Sequence, residues 1–361
     1  MSGNVMAEDK SELRKSLNKG FAKTELERRG KHFDTGAPVT GAVSLGDAVA
    51  VSFGDGRVQL FRPNSVSASI KAHDGVILCM AAGEREIVTG GDDGRFLSVS
   101  IDGSVREIAN FGTKWVDCVA MSHELVACSS GKNVYIWAPG ETECTSLEHN
   151  STIGGLAFDT QGKRLAVSNY GGVTLWERNK RRWKSTRLAW KGSHGALTFS
   201  PDGKYVVTAM QENALHGWKL FNKANLAMSG YPAKVKSFAW VGDAPHLATS
   251  GADQAVCWPF DGKDGPMNRK PLCVANGGKQ IATCVQALPQ EKAVFAGFED
   301  GTVILSELDE TKEPVVIRGR TGIEVSAIAI SPSQSHILIG DMKGHVLWSQ
   351  LWSGDAYAGN V

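Results

Sequence analysis

The chain has 361 residues, and its 39 basic against 38 acidic side chains leave a formal charge of +1, so no bulk attraction to nucleic acid or to an anionic membrane is indicated. Its seven cysteines, at 79, 118, 128, 144, 257, 273 and 284, contain no Cys-x-x-Cys pair; this argues against a metal cluster or a disulfide framework and for a reducing compartment. No run approaches the ~18 apolar residues of a membrane span and the N-terminus lacks an apolar run of signal-peptide length, so a cytoplasmic protein with no membrane contact is expected.

Residues 1–34 read as a charged N-terminal extension, flexible or a short helix. Leu13, Leu17 and Phe21 recur at helical spacing, so residues 10–28 have a narrow apolar stripe, interrupted by Gly20. Partner docking through this stripe is one reading. A solvated tail, dispensable for folding, is the preferred one, because three apolar residues bury little area. From Pro38 the pattern changes to short alternating runs near 38–45, 48–53 and 57–62, and Gly54-Asp55-Gly56-Arg57-Val58 supplies a turn into the last of them. A second unit repeats the design with Ala72-His73 ahead of Val76–Met80, then Thr89, then Asp92-Asp93-Gly94-Arg95-Phe96. The third ends in Val134-Tyr135-Ile136-Trp137 and the fourth, opened by Glu148-His149, in Trp176. The basic run Arg178–Lys184 follows; with Trp183 it permits a nucleic-acid reading, but a solvated turn is favoured. Residues 184–218 then display one whole repeat: Ser185–Trp190, Ala196–Phe199, the turn Ser200-Pro201-Asp202-Gly203, Tyr205–Ala209 and Leu215–Trp218. The sixth unit ends in Ala255-Val256-Cys257-Trp258, after which Pro259–Lys270 is an extra loop, either a contact element or a tolerated insertion. Asp300-Gly301-Thr302-Val303 marks another final strand, and residues 353–361 read as a loose tail.

Aligning the final strands places Phe61, Val99, Trp137, Trp176, Trp218, Trp258, Ser306 and Ser349 at one repeat position, separated by 38 to 48 residues. This period, with the Asp-Gly turns and Trp-ended strands, resembles the WD40-repeat β-propeller family, of which the chain looks like a divergent member. The resemblance covers residues 37–351 and implies an all-β propeller of four-stranded antiparallel blades over 35–352, eight repeat units by count with seven blades as the alternative. Seven linkers supply seven outer strands, so the eighth comes from residues 31–36 or from beyond Trp352. In the family, a His, a Ser or Thr, an Asp and a Trp form a network that pins each blade. Carried over, it assigns structural roles to His73, Thr89, Asp93, Trp137, His149, Trp176, Thr208, Trp218 and Trp258. Unit two has Val99 in place of Trp; unit four has Tyr170 or Gly171 in place of Asp; unit five has Glu212 there and no matching His.

No nucleophile elbow, His-Glu-x-x-His or phosphate loop is present, so the chain is not expected to be an enzyme and needs no cofactor. What remains is one face of loop residues, Lys114, Trp115, Tyr170, His194, Gln211, Glu212, Tyr231 and Lys234, of types enriched in binding hot spots. The expected function is a non-catalytic scaffold, monomeric on its own, that binds a protein or peptide partner there. The alternative is a metal-handling or enzymatic propeller with a site at the central channel, for which His194, Glu212 and His216 are the nearest ligand set.

Overall fold

A computed structural model describes residues 23–352 except 124, 139–140, 181, 243–244 and 290. Among these residues there are one short helix, Glu25–Arg29, and thirty strands. In unit one the strands Val39–Leu45, Ala48–Phe53, Arg57–Phe61 and Ile70–Lys71 pair in order as an antiparallel meander. The inner strand is buried only at its ends, Val39 and Leu45, whereas Ala48–Phe53 is buried throughout. The reason is that each sheet is covered on both faces. Val49, Val51 and Phe61 pack with Leu338 and Trp348 of unit eight, while Leu45 and Leu60 pack with Ile87 and Leu97 of unit two. Middle strands therefore read as continuous apolar runs rather than as alternation.

The repeated Asp-Gly turns have a specific cause. Asp55, Asp93 and Asp300 each accept, through Oδ1, the backbone N–H two residues on. Gly56 and Gly94 sit at φ +82° and +76°, and a Cβ on Gly56 would lie 2.2 Å from the His73 carbonyl oxygen, so the next loop packs directly on the turn.

Hydrogen bonding groups the strands into seven sheets, six of four strands and one of six. The six-stranded sheet, over residues 153–228, contains two unusually long strands, Arg164–Asn179 and Arg182–Phe199. The first doubles back at Gly171 and Gly172, whose φ values are +85° and +128°, and closes on itself where the Arg178 N–H donates to the Lys163 carbonyl. The second pairs with unit four through Arg182–Ala189 and with unit five through His194–Phe199. This one sheet thus carries the strands of units four and five. The sheets number seven, the alternative expected above, and not the eight of the repeat count, because units four and five share one sheet.

The ring closes with the front end of the chain: Lys31–Asp34 pairs with His345–Gln350 as the outer strand of the last sheet. Residues 23–34, the described part of the segment read as an extension, pack on the propeller and supply one of its strands. Among the described residues its helix spans Glu25–Arg29, with a capping box between Thr24 and Glu27. Leu26 is buried in the core of unit eight, Glu27 accepts from the Gly319 N–H at 3.0 Å, and Ser349 donates to the Leu26 carbonyl at 2.9 Å. Leu13, Leu17 and Phe21, like the tail 353–361, lie outside the described residues. The basic run Arg178–Lys184 is a hairpin within unit four, Asn179 opposite Arg182, and does not join two units. The loop Pro259–Lys270 is tied down: Phe260 is buried against Tyr205 and Trp240, and Tyr205 donates to its Gly262 carbonyl.

Candidate functional site: one rim of the propeller

The turns between second and third strands and the loops leading into first strands share one face. Beneath them lie the networks that hold the loops. In unit two, His73 Nδ1 is 2.9 Å from Asp93 Oδ1 and its Nε2 is 2.9 Å from Thr89 Oγ1. In unit four, Trp176 Nε1 donates to His149 Nε2 at 3.3 Å, and burial lowers the His149 pKa to about 4, so the ring is the neutral acceptor this bond needs. Trp137 is buried against Phe96 in the core between units two and three.

Units five and six correct the sequence reading. His194 is 1% exposed, with Nδ1 2.7 Å from Thr208 Oγ1 and its ring 5.6 Å from Trp218, so unit five does have its histidine. In unit six Tyr231 takes that role: its hydroxyl is 2.7 Å from Thr249 Oγ1 and accepts from Trp258 Nε1 at 2.7 Å. His194 and Tyr231 are thus buried loop anchors and not part of the accessible rim. Unit eight uses a pair that sequence reading missed, Arg318 donating to Asp341 at 2.9 Å, both buried.

The other rim residues are exposed. Trp115 is 59% exposed beside Lys114 on the loop into unit three, and Tyr170 is 70% exposed on the glycine turn of unit four. Tyr170 is fixed at both backbone ends: its N–H donates to Ser151 Oγ, and its carbonyl accepts from Arg187. Lys234 donates to Gln211 at 2.8 Å, joining the loops of units five and six, and Glu212 accepts from the Ser193 N–H. Sequence reading missed Trp190 and Lys191, which edge a groove of about 410 Å³ between units four and five with Met210 and Met228 inside it, and Arg187, which donates to the carbonyl of Tyr170 at the groove's edge. The signal was available in Trp190-Lys191, directly ahead of Ser193-His194. A wider depression of about 730 Å³ opens on the opposite face, where Glu84, Glu86 and Asp159 mix with Arg85 and His123.

The nearest metal candidates are otherwise engaged, His194 with Thr208 and His216 Nε2 with Asn225. Among the described residues no three His, Cys, Asp or Glu side chains gather within reach of one ion. Burial pushes the Cys118, Cys257 and Cys284 thiols up to about 12, which keeps them protonated at neutral pH. No helix among the described residues is long and apolar enough to cross a membrane.

No family model matches the chain. It is 26% identical over 143 residues to the meiotic recombination protein rec14 of Schizosaccharomyces pombe, covering 37% of this chain and 46% of that one. It is 25% identical over 211 residues to the human angio-associated migratory cell protein, covering 56% and 46%. The chain thus spans about half the length of the relatives it matches. Among solved structures it is similar to the computationally designed Ika8 protein, with a TM-score of 0.70 at 16% identity over 88% of this chain and 98% of that one. It is also similar to the RRP9 WD40 repeats, with a TM-score of 0.60 at 16% identity over 78% and 96%.

Proposed function

We propose that this chain, a divergent WD40-repeat β-propeller, is a non-catalytic scaffold that holds a protein or peptide partner on the rim of units three to six. The observation that carries this reading is the exposure of Trp115 and Tyr170, at 59% and 70%, on loops whose backbone is hydrogen-bonded in place, Val116 to Gly91 and Tyr170 to Ser151 and Arg187. Large aromatics on a fixed backbone contribute contact area with little ordering cost on binding. Lys114, Gln211, Glu212 and Lys234 supply polar groups beside them. The protein is read as cytoplasmic and monomeric without its partner.

Affinity capture from the native source tests this. The wild-type chain should retain a protein that the Trp115→Ala, Tyr170→Ala double variant loses, while Arg182→Glu on the opposite face retains it. Capture unaffected by the double variant but lost with Arg182→Glu would put the interface on the other face. Tight stoichiometric binding of a divalent metal in a calorimetric titration would replace the scaffold with the metal-handling reading.

A further inference from the structure

Resting on the reading of the rim as a docking face, we propose that the groove between units four and five takes an acidic peptide segment carrying one large apolar side chain. The groove, of about 410 Å³, falls in the range of built ligand pockets and suits one such side chain with its flanking backbone. Met210 and Met228 are buried at its base, and thioethers adapt readily to an inserted apolar group. Trp190 walls it, with one face stacked on His216 at 4.0 Å between centroids, so that ring is fixed in place. Exposed Tyr170 stands at its edge.

The charge around the groove selects the rest of the segment. Arg187 lies behind Tyr170 and donates to Asn169 Oδ1 at 2.8 Å, Thr174 Oγ1 at 3.1 Å and the Tyr170 carbonyl at 3.1 Å, all of them neutral. A guanidinium has five N–H donors, so these three bonds leave capacity for a carboxylate, and its charge is not neutralised by them. Lys191, exposed on the groove wall, adds a second cation. Glu212 is the opposing carboxylate; its Oε1 is turned to the Ser193 N–H at 3.4 Å. Of the other cations of this face, Lys132 pairs with Glu148 at 2.6 Å and Lys236 with Glu324 at 3.3 Å, while Lys234 donates to the neutral Gln211. Lys191 on the groove wall and Arg187 behind Tyr170 thus set two cations beside the apolar base, against the one carboxylate of Glu212. A nucleic acid would find the cations but would leave the methionine base without a partner.

Fluorescence polarisation with the full chain tests this, using two labelled peptide pools of about ten residues and a single-stranded oligonucleotide of similar length. Both pools carry Leu, Met, Phe or Trp at the centre, flanked by Asp and Glu in one and by Lys and Arg in the other. The acidic pool should bind saturably and weaken as salt rises from ~50 to ~300 mM. Lys191→Glu and Tyr170→Ala should each weaken it about tenfold with the melting midpoint unchanged. Arg187→Lys should weaken it too, because the charge stays but the fork is lost. Preference for the basic pool or the oligonucleotide, no saturable binding, or an acidic affinity indifferent to Lys191→Glu would each overturn the proposal. If the acidic pool fails while Trp115→Ala, Tyr170→Ala still abolishes partner capture, the groove assignment falls and the scaffold reading stands. If capture is indifferent to the rim as well, both fall.

Discussion

Replacing Leu26 and Glu27 together by alanine in the full chain should destabilise the propeller, although a charged extension would tolerate the change. Leu26 is 7% exposed and packs at the edge of the unit-eight core, so its truncation belongs at the lower end of the Leu→Ala range, about 2 kcal/mol. Glu27 accepts from the Thr24 and Gly319 N–H groups at 2.9 and 3.0 Å, and losing a partly buried charged acceptor costs a further ~1–2 kcal/mol. The sum is about 3 kcal/mol. At ~2.1 cal/mol/K per residue a chain of this length has an unfolding entropy near 0.8 kcal/mol/K, so a cooperative melting midpoint should fall by roughly 4 °C. Differential scanning calorimetry at fixed protein concentration measures this. A midpoint within about 1 °C of wild type would show that the helix contributes nothing to the closed ring, and the reasoning from its buried contacts would be wrong.

Trp218→Ala should cost about 3–5 kcal/mol in a urea titration, since the indole is 1% exposed between units four and five; an unchanged midpoint would refute its place in that core. Tyr231→Phe leaves the part-buried Trp258 Nε1 without its acceptor and should lose ~1–3 kcal/mol, whereas a loop residue that only touches partners would lose none. Trp115→Ala should leave the urea midpoint within the experimental scatter of wild type, as expected of a side chain on the surface. Burial lowers the His149 and His216 pKa values to about 4 from 6.5, so the unfolded chain binds more protons between those limits. That stability is complete above pH ~6.5 and is lost as pH falls towards ~4; His149→Gln with His216→Gln should flatten this slope, and an equally steep slope would remove both rings as its source.

The third strands were legible because their signals are local. An Asp-Gly turn and an apolar run ending in Trp are read from residues that touch one another within each unit, as Asp93 touches Arg95. What was hidden depends on distant partners. Among the described residues of the N-terminal segment, Leu26 and Glu27 find their partners at the far end of the chain, which a local amphipathic pattern such as Leu13, Leu17 and Phe21 does not reveal. Ser349 holds a position where other units have Trp because the space is occupied: a Cβ on Gly30 would lie 3.0 Å from the Ser349 Cβ. His194 escaped assignment because a register shift between His194 and Leu197 changes its distance from the inner strand. Tyr231 was taken for an interface residue because a tyrosine is unusual in a histidine's role, and only the hydroxyl's two partners reveal the substitution.

The pairing of Lys31 with Trp348 also sets the order in which the molecule can be completed during synthesis. The first of the described strands waits for the last, so on the ribosome Lys31–Asp34 has no mate until residues 345–350 have emerged. A loop of that length is entropically slow to close, though each doubling of length adds only ~0.6 kcal/mol. Until closure the edge formed by His345–Gln350 is open to any matching strand, including the same four residues of another copy. Refolding at high concentration should therefore yield swapped dimers joined through this one strand, which dissociate only on unfolding.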